Sequence, residues 1–469
     1  MNMANRSRIT FLSMAIALAT ALPAAAAGID SPDFTPDDLF QLKKVWTVDL
    51  VFQPEQWQAM TPRMDGPHGA EYLLGPEGGH NGFLASRGLV FDWAHADVTI
   101  DGKSFGDIGV RYKGNGTYSG GAPQNKISMK LHLNKYVKGQ KLANLTTLNL
   151  ANNITDSGWM NEELSYRLFR DAGVPAPRSA YAKVYVTITG KMARRYMGLY
   201  SLIEEVDDHF IQDRFGADMG KNTGALLKPV PISLFTYLSD NWADYKQIYD
   251  PKDELTPEQI ARITGFCKIV TSGTDSEFAR NLPEYIDLDN FARFLAVDVW
   301  LTDLDGILNV GQNYYAWMSP VTGKFSFIAW DHDHSFGQMG RASNAQIENF
   351  SIKHPWSSRN RFLERVFAVP AFRDLYLARM NEFSKTIFQP LRIFAQVDDL
   401  APAIRPAIAE ESKVAAHVFD QVVADPAPGP SQAQMFGERL KTFVKARAPL
   451  VIDQLDGKSE GERIEINTR

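Results

Sequence analysis

One stretch, residues 301–337 (LTDLDGILNVGQNYYAWMSPVTGKFSFIAWDHDHSFG), limits what this chain can fold into more than any other. An acidic loop with Asp303 and Asp305 leads through Asn309, Gln312 and Asn313 into an aromatic run at 314–317. A turn at 319–323 follows. A second apolar run, 324–330, then enters Asp331, His332, Asp333 and His334 and ends at Ser335, Phe336 and Gly337. Two such runs joined by a short Pro/Gly turn predict a β-hairpin. A hairpin folds the chain back on itself, so the loop before its first strand meets the tail after its second. Asp305 and Asp331, 26 positions apart, can then share one pocket. Carboxylates and amide carbonyls in that number suit a hard cation such as magnesium and leave room for phosphate oxygens. In an extended tail side chains alternate, which predicts Asp331 and Asp333 on one face and His332 and His334 on the other. The structural alternative is an acidic turn that caps the hairpin. The convergence of so many oxygen donors favours the metal reading.

The 469 residues are enough for two lobes, each with its own core. A net charge of -6 and the absence of any long basic block argue against nucleic acid, whose binding rests on phosphate neutralisation. At the N-terminus Arg6 and Arg8 precede an apolar run, 9–22, that ends in Pro23 and Ala24, Ala25, Ala26 and Ala27. A positive start, a short apolar run and small residues predict a secretory signal peptide over 1–27. The run is short for a retained membrane helix, and no other stretch approaches membrane length. An exported protein, periplasmic or extracellular and without a stable membrane span, is the expectation. The single cysteine, Cys267, excludes intrachain disulfides and lies among Ile263, Phe266, Ile269 and Val270, as a core residue does.

Along the chain, 45–52 alternates as a strand. Residues 61–90 lack periodicity and read as loop, with His68 and His80 solvated. Runs at 96–100 and 105–112 flank Asp101-Gly102, a strong hairpin signal. The second run enters RYKGNGTYSGGAPQNK (111–126), where Gly114, Gly116, Gly120 and Gly121 lie between Arg111, Lys113 and Lys126. A flexible glycine-rich turn between strands can lay backbone N–H groups against phosphates. A strand with Lys130 at its centre follows at 127–133. A helix is predicted over 155–170, capped by Asp156 or Ser157 and closed by Gly173. Strands at 182–188 and 196–203 run into the acidic connector Glu204, Glu205, Asp207 and Asp208. Beyond it the spacing is helical, interrupted by the 311–331 hairpin: 240–248, 256–270, 275–282, 288–302, 360–368, 370–385, 389–396, 401–424 and 432–455, with a Pro-rich break at 426–430.

This order of strands, glycine-rich turn, lysine strand, helix, connector and helical body with an acidic loop is the layout of a protein-kinase-like fold. The segments GVRYKGNGTY, NKISMKLHL, RDAGVPAP, GLYSLIEEVDDHF, DGILNVGQNYYAW and FIAWDHDHSFG resemble the CotH family of secreted kinase-like proteins. The resemblance runs from about residue 43 to about residue 455. It implies an α+β, atypical protein-kinase-like two-lobed fold, with a β-rich N-lobe over 28–205 and a larger helical C-lobe over 206–469. It implies that Asp305 is the catalytic acid/base and that Asn313, Asp331 and Asp333 bind Mg2+ or Mn2+. Arg111, Lys113, Gly114 and Gly116 would cover the phosphates of ATP, Lys126 or Lys130 would hold them, and Glu163 would orient that lysine. Glu204 and its neighbours would form the adenine-side connector. Lys228, in GALLKP, matches a lysine often seen in the family. From Asp305 to Asn313 is eight positions, longer than the eukaryotic H-R-D-x-x-x-x-N spacing, so Asn309 is a rival ligand, and Glu162 rivals Glu163.

The expected activity is phosphoryl transfer from ATP to a protein Ser/Thr or other hydroxyl acceptor in the envelope or outside the cell. Two alternatives differ in class. One is a catalytically inactive, kinase-shaped surface binding protein. The other is a metal-dependent hydrolase with Asp331, His332, Asp333 and His334 around one ion.

Overall fold

The computed structural model describes residues 28–64, 89–216, 223–230, 234–339, 342–357, 360–424 and 440–465. The expected leader, His68 and His80, and the Pro-rich break at 426–430 lie outside the described residues.

Seven strands close into a barrel: β1 (Val45–Phe52), β2 (Ala94–Ile100), β3 (Lys103–Tyr112), β4 (Met129–His132), β5 (Thr147–Ala151), β6 (Ser179–Ile188) and β7 (Met192–Glu204). Their order round the barrel is β1, β2, β3, β4, β5, β7, β6. Neighbours are antiparallel except at the closure, where β6 runs parallel to β1 with Val45 opposite Tyr181. Alternation fills the inside: Trp46, Val48, Leu50 and Phe52 of β1 and Ala94, Ala96, Val98 and Ile100 of β2 are all buried. At the β2–β3 turn both Asp101 and Gly102 have positive φ, 43° and 92°, as the Asp-Gly pair predicts.

Two features of the barrel differ from the sequence reading. The sequence reading has no strand between 133 and 155, where β5 lies, and Asn149 on its outward side is as buried as Leu148 and Leu150. The glycine-rich segment is not a flexible turn; Gly116–Gly121 forms a short helix, continued by a 3-10 turn at Ala122–Gln124. Close packing accounts for this. A Cβ on Gly121 would lie 2.1 Å from the Lys126 carbonyl oxygen, so glycine lets the coil seat against the strand that follows.

The rest of the chain is mostly helical: α1 (Asn161–Asp171), α2 (Asp208–Phe215), α3 (Ala243–Tyr249), α4 (Pro257–Ser272), α5 (Asp275–Tyr285), α6 (Leu288–Leu301), α7 (Arg361–Ala368), α8 (Pro370–Lys385), α9 (Pro390–Glu411), α10 (Lys413–Val423) and α11 (Leu440–Leu455). A small antiparallel sheet joins them, β8 (Ala225–Leu227), β9 (Tyr314–Met318) and β10 (Phe325–Ala329), the last two being the expected hairpin. Central helix α6 buries all of 294–301 and is apolar nearly all round, Asp298 being its one acidic exception there. α1, expected with the barrel, contributes Leu164, Leu168 and Phe169 to this second core. Cys267 is fully buried there.

α9 also departs from expectation, running unbroken through 397–400. Pro402 and Pro406 both lie on its exposed side, while Val397, Leu400, Ile404 and Ile408 continue one buried stripe. Tertiary packing on that stripe outweighs the two lost backbone bonds. The far end of α9 lies against β7, where Gly198 (φ 127°) leaves space for Glu411 and Lys126. Among the described residues no helix is long and apolar enough to cross a membrane.

Candidate active site

A cavity of about 270 Å³ opens between the barrel and the hairpin. Sheet register builds its first wall. Arg111 stands opposite Lys130 across β3 and β4, and Lys130 opposite Asn149 across β4 and β5, so three polar side chains share one face. Glu205, just past β7, ties them together. Its carboxylate accepts from Lys130 Nζ and from Asn149 Nδ2, each at 2.7 Å. Lys113 Nζ donates to Asn149 Oδ1 at 3.3 Å and lies 5.1 Å from the Trp330 ring. Burial by itself pushes the Glu205 carboxyl up, but Lys130, Asn149 and Lys113 together bring it down to about 2.

The facing wall carries Lys228, just past β8, between the rings of Tyr315 and Trp330 at 5.6 and 5.2 Å. Asp250 and Lys252 pair beside it. Burial and the adjacent lysines, opposed by Asp331 and Glu205, lower the Lys113 and Lys228 ammonium groups each to about 8. Two desolvated lysines beside Trp330 make a site for an anion.

Acidic groups fill the floor. Asp305 accepts from Asn313 Nδ2 at 2.9 Å and from Gln312 Nε2 at 3.4 Å, while its own N–H donates to Asp303 Oδ1 at 3.0 Å. Burial raises its carboxyl to about 7; His334 opposes this, and Asp303, Asp333 and Asp331 add to it. Asp333 accepts from Thr155 Oγ1 at 2.5 Å and is likewise raised by burial. The Asp331 N–H donates to the Tyr166 hydroxyl at 3.0 Å, which fastens the end of the hairpin to α1.

Of the residues singled out from sequence, Arg111, Lys113, Gly114, Gly116, Lys130, Lys228, Asp305, Asn313, Asp331 and Asp333 line this one cavity. Three others do not. Lys126 is buried away from it, with Nζ 2.7 and 2.9 Å from the Glu411 carboxylate. Glu163 is fully buried in the first turn of α1, near Asp156, and burial raises its carboxyl to about 8. Glu204 is clamped by Arg178 and by Arg214, the latter at 2.9 Å, and its successor Glu205 faces the cavity instead. Neighbours along a strand point to opposite faces, and only the register decides which of the pair looks inward.

Rivals are also placed. Asn309 is fully buried and spent, donating to the Leu304 carbonyl at 3.0 Å and accepting from Ser357 at 2.7 Å. Glu162 takes a hydrogen bond from Tyr166. The tail after the hairpin is not extended, because Asp331 has a φ of 62° and a turn follows. His334 consequently shares the cavity with Asp331 and Asp333, while His332 points below, with Nδ1 2.7 Å from Asp303 Oδ2. Four ligands from 331–334 therefore do not surround one ion, contrary to the hydrolase alternative. The sequence reading missed Asn149, Asp250 and Lys252. The last two sit in a loop without periodicity, and an apolar stretch ahead of them gave no sign that it would form β8.

The sequence profile of the family described as "CotH kinase protein" matches residues 110–451. The chain is 23% identical over 257 residues to the inner spore coat protein H of Bacillus subtilis strain 168, covering 54% of this chain and 66% of that protein, just under two thirds of its length. Among solved structures, the Shewanella oneidensis MR-1 complex of the toxin–antitoxin system HipA and HipB with operator DNA includes a chain that aligns with 70% of this one and over 65% of its own length. Identity there is 11% and the TM-score 0.34, a likeness too slight to argue from. The matched region takes in every residue lining the cavity, from Arg111 to His334, and on that match the chain belongs to the CotH kinase family.

Proposed function

We propose that this chain is an exported, metal-dependent kinase that transfers phosphate from ATP to a protein Ser/Thr or other hydroxyl group. The observation that carries this is the meeting of two walls: Lys113, Lys130 and Lys228 face Asp305, Asn313, Asp331 and Asp333 across one cavity. Phosphoryl transfer asks for charge neutralisation and positioning more than for covalent chemistry, and this lining supplies both.

The donor set fits a divalent ion. Asp331 and Asp333 raise the Asp305 carboxyl and Asp331 raises that of Asp333, and a cation among them relieves that repulsion. Asp331, Asp333 and Asn313 would hold it, and when bound it neutralises phosphate oxygens. Lys113 and Lys228, both beside Trp330, would take the phosphates. Asp305, oriented by Asn313 and Gln312, would accept the proton of the attacking hydroxyl. In this reading the barrel is the small lobe and the helical body the large lobe of an atypical kinase. The leader at 1–27 supports export, with the acceptor in the envelope or beyond.

Incubating the purified chain with labelled ATP and either magnesium or manganese tests this. Transfer of label is expected to need the metal and to vanish in Asp331→Ala with the circular dichroism unchanged. Transfer that persists in Asp331→Ala, or in the presence of excess chelator, overturns the assignment.

A further inference from the structure

A second cluster lies beneath the cavity and plays no part in the proposed transfer. Asp298 comes from the last turn of α6, Asp303 opens the loop that leads to Asp305, and His332 follows the hairpin. All three are fully buried. His332 Nδ1 is 2.7 Å from Asp303 Oδ2 and 3.9 Å from Asp298 Oδ1, and one donor atom from each residue lies within 4.8 Å of the other two.

Asp298 is the anomaly. Among the described residues neither of its carboxylate oxygens has a hydrogen-bond partner, although the side chain is cut off from water. A buried carboxylate without donors is among the costliest groups a core can hold. Its neighbour Asp303 is a second carboxylate, whose other oxygen is already taken by the Asp305 N–H. A single imidazole cannot satisfy both. A divalent cation can, and two carboxylates with one imidazole nitrogen form a mixed set that suits zinc and related transition metals better than magnesium. Ligand bonds of about 2.0–2.2 Å put donor atoms roughly 3–3.5 Å apart, and the separations of 2.7 and 3.9 Å fall on either side of that range.

We propose that Asp298, Asp303 and His332 hold a buried transition-metal ion of the zinc class that pins the loop carrying Asp305 to the tail carrying Asp331 and Asp333. The ion is distinct from the one in the open cavity, and the proposal stands whether or not the chain transfers phosphate.

Metal analysis of the full chain tests it. Protein from zinc-supplemented cells, washed with chelator under native conditions, is expected to retain about one equivalent of transition metal per chain. The double variant Asp331→Ala/Asp333→Ala is expected to keep that ion, while Asp298→Asn and His332→Ala lose it. Folded wild-type protein with less than about a tenth of an equivalent overturns the proposal. So does an ion that leaves with the double variant, because it then belongs to the open cavity. Should Asp298→Asn fail to fold, the contents of the wild type and the double variant still decide.

Discussion

At the scale of single residues, the lysines separate cleanly by environment. Lys126, just ahead of β4, pairs with the part-buried Glu411 at the end of α9, so Lys126→Ala leaves that carboxylate only the Leu199 N–H. A loss of about 3–5 kcal/mol in unfolding free energy is expected, measured by denaturant titration, with ligand binding by the folded fraction preserved. Lys228→Ala removes a charge-assisted contact from the cavity instead. There the expected loss is in affinity for magnesium–nucleotide, roughly 10- to 100-fold by calorimetry, with little change in stability. Glu163 gives a pH signature. Its folded carboxyl is held at about 8, above the ordinary carboxylate value, so this group's stabilising contribution is complete below that ordinary value and is lost as pH rises through about 8. Glu163→Gln should remove up to about 1.4 kcal/mol per pH unit from the slope of stability against pH in that window, and be more stable than the wild type above it. The meeting of Asp305, Asn313 and Asp331 in one cavity was legible because a hairpin has to bring its two ends together. Glu204 was not, since neighbouring positions face opposite ways and nothing local fixes the phase, nor was Lys126, whose partner Glu411 lies 285 positions away.

At the scale of elements, strongly periodic segments declared themselves. The hairpin at Tyr314–Met318 and Phe325–Ala329, and helix Pro370–Lys385, fall within a residue or so of where their spacing puts them. What stayed hidden depends on contacts distant in sequence. β5 is only five residues long and is fixed by its pairing with β4 and β7, and α9 overrode two prolines by packing one face. The glycine-rich segment coiled into a helix because Gly121 admits the Lys126 carbonyl. Gly121→Ala places a methyl group in that contact and is expected to cost about 1–3 kcal/mol, read as a lower melting temperature. An unchanged melting temperature would mean the coil has room to shift.

At the scale of the whole molecule, the division into a strand-rich first part and a helical second part could be read directly, and the family resemblance placed the cavity between them. Barrel closure could not be read, because the parallel pairing of β1 with β6 joins strands over a hundred positions apart. The long helix α9 adds a brace, with Glu410 reaching Tyr185 at 2.9 Å and Glu411 reaching the Leu199 N–H at 2.9 Å. That brace ties the barrel to the helical body on the other side of the cavity. The decisive measurement takes nucleotide binding and label transfer on the same samples of wild-type protein and Asp305→Asn. Phosphoryl transfer through Asp305 requires binding that stays within about threefold while transfer falls by at least about 100-fold. Equal transfer by the two proteins, or a wild type that binds no nucleotide with magnesium or manganese present, would contradict it.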